Sequence, residues 1–126
     1  MPPNVLRLLA PPALAAALLL ATATAADSAT AAPRGYDRCP SGHFCLFSEY
    51  DGNGAIATFR FGSPNLADQN FDDLAMSYAN NTDSVWCTYG DYNYSKAQLH
   101  SGWEAHTADS LWELHSFVSS VRKGQC

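Results

Sequence analysis

From Phe44 onward the chain sets short runs of alternating apolar and polar residues between clusters of turn formers, the pattern of strands joined by tight connections. Phe44 to Tyr50 is aromatic-rich, and Asp51-Gly52-Asn53-Gly54 is a strong turn signal. Ala55 to Phe61 then sets Ile56, Thr58 and Arg60 against Ala57, Phe59 and Phe61. Gly62-Ser63-Pro64-Asn65 ends that strand, and Leu66 to Asn70 reads as a loop. Phe71 to Thr82 carries adjacent carboxylates, Asp72 and Asp73, ahead of a strand-like Ala75 to Ala79, with a turn expected at Asn80-Asn81-Thr82-Asp83. Val85 to Tyr89 is the next strand, Gly90 to Ser95 a turn region and Ala97 to His100 a short strand before the Ser101-Gly102 break. Leu111 to Val121 is read as a final strand, with Leu111, Glu113, His115 and Phe117 on one face and Trp112, Leu114, Ser116 and Val118 on the other. A helix over Ala108 to Val118 is the weaker alternative, since the run ends in Ser, Val and Phe.

A weak internal repeat organises these elements. Shifting the chain by about forty residues lays Phe44 to Tyr50 on Trp86 to Tyr92, each reading aromatic, Cys, any residue, aromatic, small, acidic, Tyr. Ser77-Tyr78 then falls roughly on Ser116-Phe117. Each unit is too small to bury its own face, so the pattern predicts an all-β, single-domain sandwich of two Greek-key motifs.

The first 25 residues read as a cleavable leader: Arg7 supplies the charge, Leu8 to Leu20 the apolar stretch and Ala23-Thr24-Ala25 the small-x-small cut site. The rival, a membrane anchor, is disfavoured by Pro11-Pro12, a weakly apolar end and no basic flank. Residues 26–38 read as a disordered small-residue spacer, leaving 39–126 as the domain. The formal charge of -5 grows more negative without Arg7, which excludes nucleic acid and anionic membrane as partners. Four cysteines in a short exported chain imply two disulfides, with three pairings open. A Cys39–Cys45 bridge closes an easy local loop and would leave Cys87 for Cys126, whereas zinc would want closely paired thiolates or nearby histidines.

Three segments in order carry a family resemblance. Cys39-Pro-Ser-Gly-His-Phe-Cys45-Leu-Phe47, Phe71-Asp-Asp-Leu-Ala-Met-Ser77-Tyr-Ala-Asn80 and Trp86 to Tyr94 resemble the exported bacterial peptidase inhibitors of family I36, whose fold is of the βγ-crystallin type. The likeness covers about Cys39 to Phe117. It implies a secreted, cofactor-free, monomeric inhibitor, with a secreted protease as partner and metalloproteinases of the thermolysin class as the expected targets. It also implies a folded first hairpin in each unit, with Phe47 and Gly52 or Gly54 at the first corner, Tyr89 and Tyr94 at the second, and Ser77 and Ser116 as the hydroxyls that pin them. Lys96 stands where a second-unit glycine is expected.

Candidate chemistry follows from both readings. A crystallin-type calcium site would use Asp72, Asp73 and Ser77, but Met76 replaces a hydroxyl ligand and the second window, Leu111 to Ser116, has no acidic pair. Weak binding or none is expected, with the two aspartates serving the turn. His43, His100, His106 and His115 lack zinc spacing, and no Gly-x-Ser-x-Gly elbow marks a nucleophile, so no enzyme is predicted. Trp103 and Trp112 are expected at the core or sandwich edge. Asp91, Tyr92, Asn93 and Tyr94 form the expected protease-contact loop, because two tyrosines give contact area at low rotamer cost. Unlike the first half, the second half has no closely spaced cysteine pair to pin that loop. The alternative function is a secreted calcium-binding or glycan-binding structural module without inhibitory activity.

Overall fold

The computed structural model describes residues 31–126 and, within the expected leader, Ala17 alone; the rest of residues 1–30 lies outside the described residues. Alternation decides the first strand, β1 (His43–Phe47): Phe44 and Leu46 enter the main core, while Cys45 and Phe47 enter a second cluster on the opposite face. The first unit continues with β2 (Ile56–Phe59), β3 (Gly62–Ser63) and β4 (Ser77–Asn81). The second comprises β5 (Trp86–Tyr89), β6 (His100–Trp103), β7 (Thr107–Ser110) and β8 (Ser120–Lys123). Two antiparallel four-stranded sheets result, ordered β2-β1-β4-β7 and β3-β8-β5-β6. Each unit therefore gives its third strand to the other unit's sheet.

Between the sheets lie Phe44, Leu46, Phe59, Leu66, Phe71, Tyr78, Trp86, Leu111, Val118 and Val121. Phe44 is stacked between Trp86, at a centroid distance of 5.0 Å, and Tyr78, at 5.9 Å, so rings from both units share one packing column. Polar groups in this core are paired: the Trp86 Nε1–H donates to Thr82 Oγ1 at 3.0 Å, and Asn80 Nδ2 donates to the carbonyls of Ser84, Trp103 and Glu104.

The two units close in the same way. After β1 the chain turns through Tyr50–Gly52 and folds over the sheet; the Gly52 N–H donates to Ser77 Oγ at 2.9 Å and the Ser77 hydroxyl donates to the Glu49 carbonyl at 2.7 Å. After β5 the turn Tyr92–Tyr94 does likewise, the Tyr94 N–H donating to Ser120 Oγ at 3.1 Å and the Ser120 hydroxyl to the Asp91 carbonyl at 2.6 Å. The second pinning serine is thus Ser120 and not the expected Ser116, which lies in a turn. Disulfides join Cys39 to Cys45 and Cys87 to Cys126, with Cα–Cα distances of 5.8 and 5.4 Å.

The remaining expectations differ from the structure locally. Leu111 to Val121 is not one strand: Leu111 to Phe117 is a turn anchored by backbone bonds from Leu111 to Met76 and from Ser116 to Ala75, and pairing resumes at β8. The strand expected at Ala97 to His100 lies later, at β6, whereas Asn80 and Asn81 extend β4 instead of turning. Part of the expected spacer is ordered: Gly35–Arg38 forms a short 3-10 turn that covers the outer cluster, with Tyr36 edge-on to Phe47 and the Arg38 guanidinium 5.2 Å above that ring.

Gly52 is a sharp backbone constraint at the first closed hairpin. Its φ is +71°, and a Cβ there would stand 2.4 Å from the Tyr36 nitrogen. Gly52→Ala should therefore cost roughly 2 kcal/mol or more in urea unfolding. Gly42→Ala, at a φ of +76° with nothing within 4 Å, should cost about 1 kcal/mol. Equal losses would mean that the closed hairpin does not constrain position 52.

Candidate functional site

The loops at one end of the sandwich bring together the residues expected to carry function. In the turn Tyr92–Tyr94, Asp91 accepts a hydrogen bond from the Tyr92 N–H at 2.8 Å, and the Asn93 N–H donates to the Pro64 carbonyl at 2.8 Å. Asn93 and Tyr94 both sit in the left-handed region, at φ +56° and +57°. Tyr94 occupies the place that Gly52 takes in the first unit, since both donate their N–H to the pinning serine. Its ring lies 5.8 Å from Tyr89, with the Arg122 guanidinium 4.9 Å above it, so Tyr94 is a hinge residue more than a contact residue. Tyr92, at 42% exposure, is the aromatic side chain of the loop that faces solvent.

The expected cation residues meet this loop. The Tyr92 hydroxyl donates to Asp72 Oδ2 at 2.6 Å, while Asp72 Oδ1 is buried without a partner. Asp73, at φ +54°, donates its N–H to the Val118 carbonyl, and its Oδ1 accepts from Ser119 Oγ at 3.4 Å. The side chains of Asp72, Asp73 and Ser77 alone offer fewer oxygens than the six to eight a hard cation takes. Ser77 Oγ is committed to two backbone groups, and Asp72 Oδ2 is committed to Tyr92. The reciprocal backbone bonds from Asp73 to Val118 and from Ser116 to Ala75 show that the second window is His115 to Ser120, displaced from the expected Leu111 to Ser116. That window keeps Ser119 and Ser120 and has no carboxylate.

The histidines stay apart. His106 pairs with Asp83 at 2.7 Å, His43 accepts from Arg60 at 3.3 Å, His100 lies over Tyr89, and His115 leans on Tyr50. No group of three or more His, Cys, Asp or Glu residues able to hold a metal occurs among the described residues. Trp103 packs against the core as expected, but Trp112 is 64% exposed. Among the described residues no helix is long and apolar enough to cross a membrane.

This arrangement is that of a crystallin-type double Greek key. A domain solved to follow the evolution of the eye-lens beta-gamma-crystallin fold is 13% identical, with a TM-score of 0.62 over 70% of this chain and 91% of that one. A beta-gamma-crystallin from Ciona intestinalis is 18% identical at a TM-score of 0.56, covering 65% of this chain and 99% of its own. The N-terminal domain of protein S is 17% identical at 0.55, covering 64% and 93%. At such identities the likeness is one of fold. No curated protein matches the chain. Residues 32–100, more than half of the 126, match peptidase inhibitor family I36, and the chain belongs to that family. Its members are inhibitors and not enzymes, and the two disulfides are compatible with an extracellular protein.

The hydrogen bond to the Asp72 carboxylate raises the Tyr92 phenol above its usual 10.0, assisted by burial and by the charges of Asp72, Asp73 and Asp91. A folded pKa above the unfolded one means that the Tyr92–Asp72 contact contributes fully below about pH 10 and is lost as pH climbs through the raised value. In a tyrosinate absorbance titration, Asp72→Asn should return one late-titrating tyrosine toward the usual range, and Tyr92→Phe should remove that same step. An unchanged wild-type profile in both variants would break the assignment. Calcium added in the millimolar range should leave the thermal midpoint unchanged, since a ligand stabilises only what it binds.

Proposed function

We propose that this protein is an exported inhibitor that occludes the cleft of a secreted protease stoichiometrically, as a monomer and without a cofactor, and that its target is a metalloproteinase. The observation that carries the reading is the locked turn Asp91 to Tyr94, in a chain of an inhibitor family. An inhibitory loop gains affinity by paying its ordering cost before it binds. Here the Asp91 side chain, the Pro64 carbonyl and the Ser120 hydroxyl hold the turn without a local disulfide. Tyr92 presents its ring at the tip, supported from below by Asp72. Export through the apolar leader would deliver the chain to an oxidising compartment where both disulfides persist.

The test is a titration of the mature chain, Ala26 to Cys126, against a thermolysin-like zinc protease, a subtilisin-like and a trypsin-like serine protease, and a papain-like cysteine protease. A stoichiometric endpoint with the zinc protease is the expected result. An endpoint with another class would keep the inhibitor and move its target; full activity of all four at large excess would remove the inhibitory function.

A further inference from the structure

The turn that replaces the expected last strand carries two of the three most exposed large aromatic side chains among the described residues, the third being Phe61. Trp112 and Phe117 are 64% and 58% exposed, although both ends of their turn are buried through Leu111 and Val118. The rings form a row in which Tyr50 of the first unit lies between Trp112 and His115 of the second. Trp112 stacks on Tyr50 at a centroid distance of 4.8 Å, His115 stands edge-on to Tyr50 at 6.4 Å, and Phe117 follows His115 at 6.4 Å. Burying Leu111 and Val118 requires neither Trp112 nor Phe117 to be apolar, so these exposed rings have no role in closing the core.

The row has a counterpart. Tyr50 and Tyr92 open equivalent folded hairpins, and His115 and Asp72 occupy equivalent places in the reciprocal pairing of the two loops. Tyr92 reaches over to Asp72 by a hydrogen bond, and Tyr50 reaches over to His115 and Trp112 by ring packing. Both tyrosines therefore rise from the same loop end, related by the approximate two-fold symmetry of the units.

We infer that the protease-contact face extends across this symmetry from Tyr92 to the aromatic row Trp112–Tyr50–His115–Phe117, with Trp112 and Phe117, the two ends of the row, as its anchors. The inference rests on the inhibitor function proposed above. Shape selects the occupant. Trp112 lies nearly parallel to Tyr50, at 20°, and is stacked on it. Tyr50 and His115 are inclined at 71° and His115 and Phe117 at 41°, so along its length the row changes plane twice and presents separate knobs, not one flat platform for a run of sugar rings. Knobs need a concave partner lined with apolar pockets, which is what a substrate-binding cleft offers. The turn is also rigid enough for the task. The Leu111 N–H donates to Met76 at 2.8 Å, the Ser116 N–H to Ala75 at 2.9 Å, and Leu114 packs on the core, so little order has to be gained on binding. Interface anchors are enriched in Trp and the other large aromatics.

The test compares the inhibition constants of the full mature protein and its Trp112→Ala, Phe117→Ala, Trp112→Phe and Tyr92→Ala variants, against whichever protease of the panel the wild type inhibits. Thermal melts of each variant serve as the folding control. Trp112→Ala and Phe117→Ala should each weaken inhibition at least about tenfold while melting as the wild type does. Trp112→Phe should recover most of the loss, because an aromatic knob remains. Wild-type inhibition left intact by both alanine variants, with Tyr92→Ala damaging, would confine the contact to the Asp91–Tyr94 turn and overturn the inference while sparing the inhibitor. A wild type that inhibits none of the panel would overturn both.

Discussion

One hydroxyl per unit holds this protein in its shape. Ser77 and Ser120 each accept an N–H from a hairpin that has folded back over its own sheet and donate to a carbonyl on the near side of the same hairpin. A serine so placed uses donor and acceptor together, so its own buried hydroxyl is fully matched. The consequences spread outward. The folded hairpin covers the outer face of the sheet and forces left-handed backbone at Asp51, Gly52, Asn93 and Tyr94. It also aims Tyr50 and Tyr92 at the neighbouring unit's loop.

The units solve the covering of their outer faces differently. In the first, the Gly35–Arg38 turn lies across Gly52, and Tyr36 and Arg38 cover Phe47. In the second no preceding segment among the described residues fills that role. Tyr94 takes the glycine's place, and its own ring, with Arg122 above it, covers Tyr89. The strained φ of Tyr94 thereby places a cover where the first unit needs a separate stretch of chain. The two bridges follow the same division, Cys39–Cys45 holding the covering segment and Cys87–Cys126 holding the tail.

How much of this was legible depended on how each element is stabilised. β1, β2 and β5 are read from their residues because alternation against a core is a local signal. The repeat between Phe44 to Tyr50 and Trp86 to Tyr92 gave the two-unit plan. β7 carries no local signal because Thr107-Ala108-Asp109-Ser110 is an edge strand with little to bury, held by pairing to β4. Leu111 to Val121 misled because a turn with two buried ends and exposed rings between them mimics alternation. Ser116 and Ser120 are not told apart by sequence because several serines crowd that stretch and the loops of the two units differ in length. Carried through unchanged, the register of Phe44 on Trp86 would have landed beside Ser120. Tyr92 and Asp72 were each singled out in the sequence, but their meeting depends on the pairing of distant loops. Exposure of Trp112 was hidden for the same reason.

The exchanged third strands bear on how such a protein can be inherited. Were the coding region for either unit lost, the survivor would make a sheet of three strands with an open slot, and would carry a loose strand whose natural seat was gone. An ancestor with a single unit would have had to meet a second copy of itself and trade strands to close both sheets. Fusion of two copies into one gene makes that meeting intramolecular, frees each half to vary, and lets a single chain keep a glycine at one hinge and a tyrosine at the other.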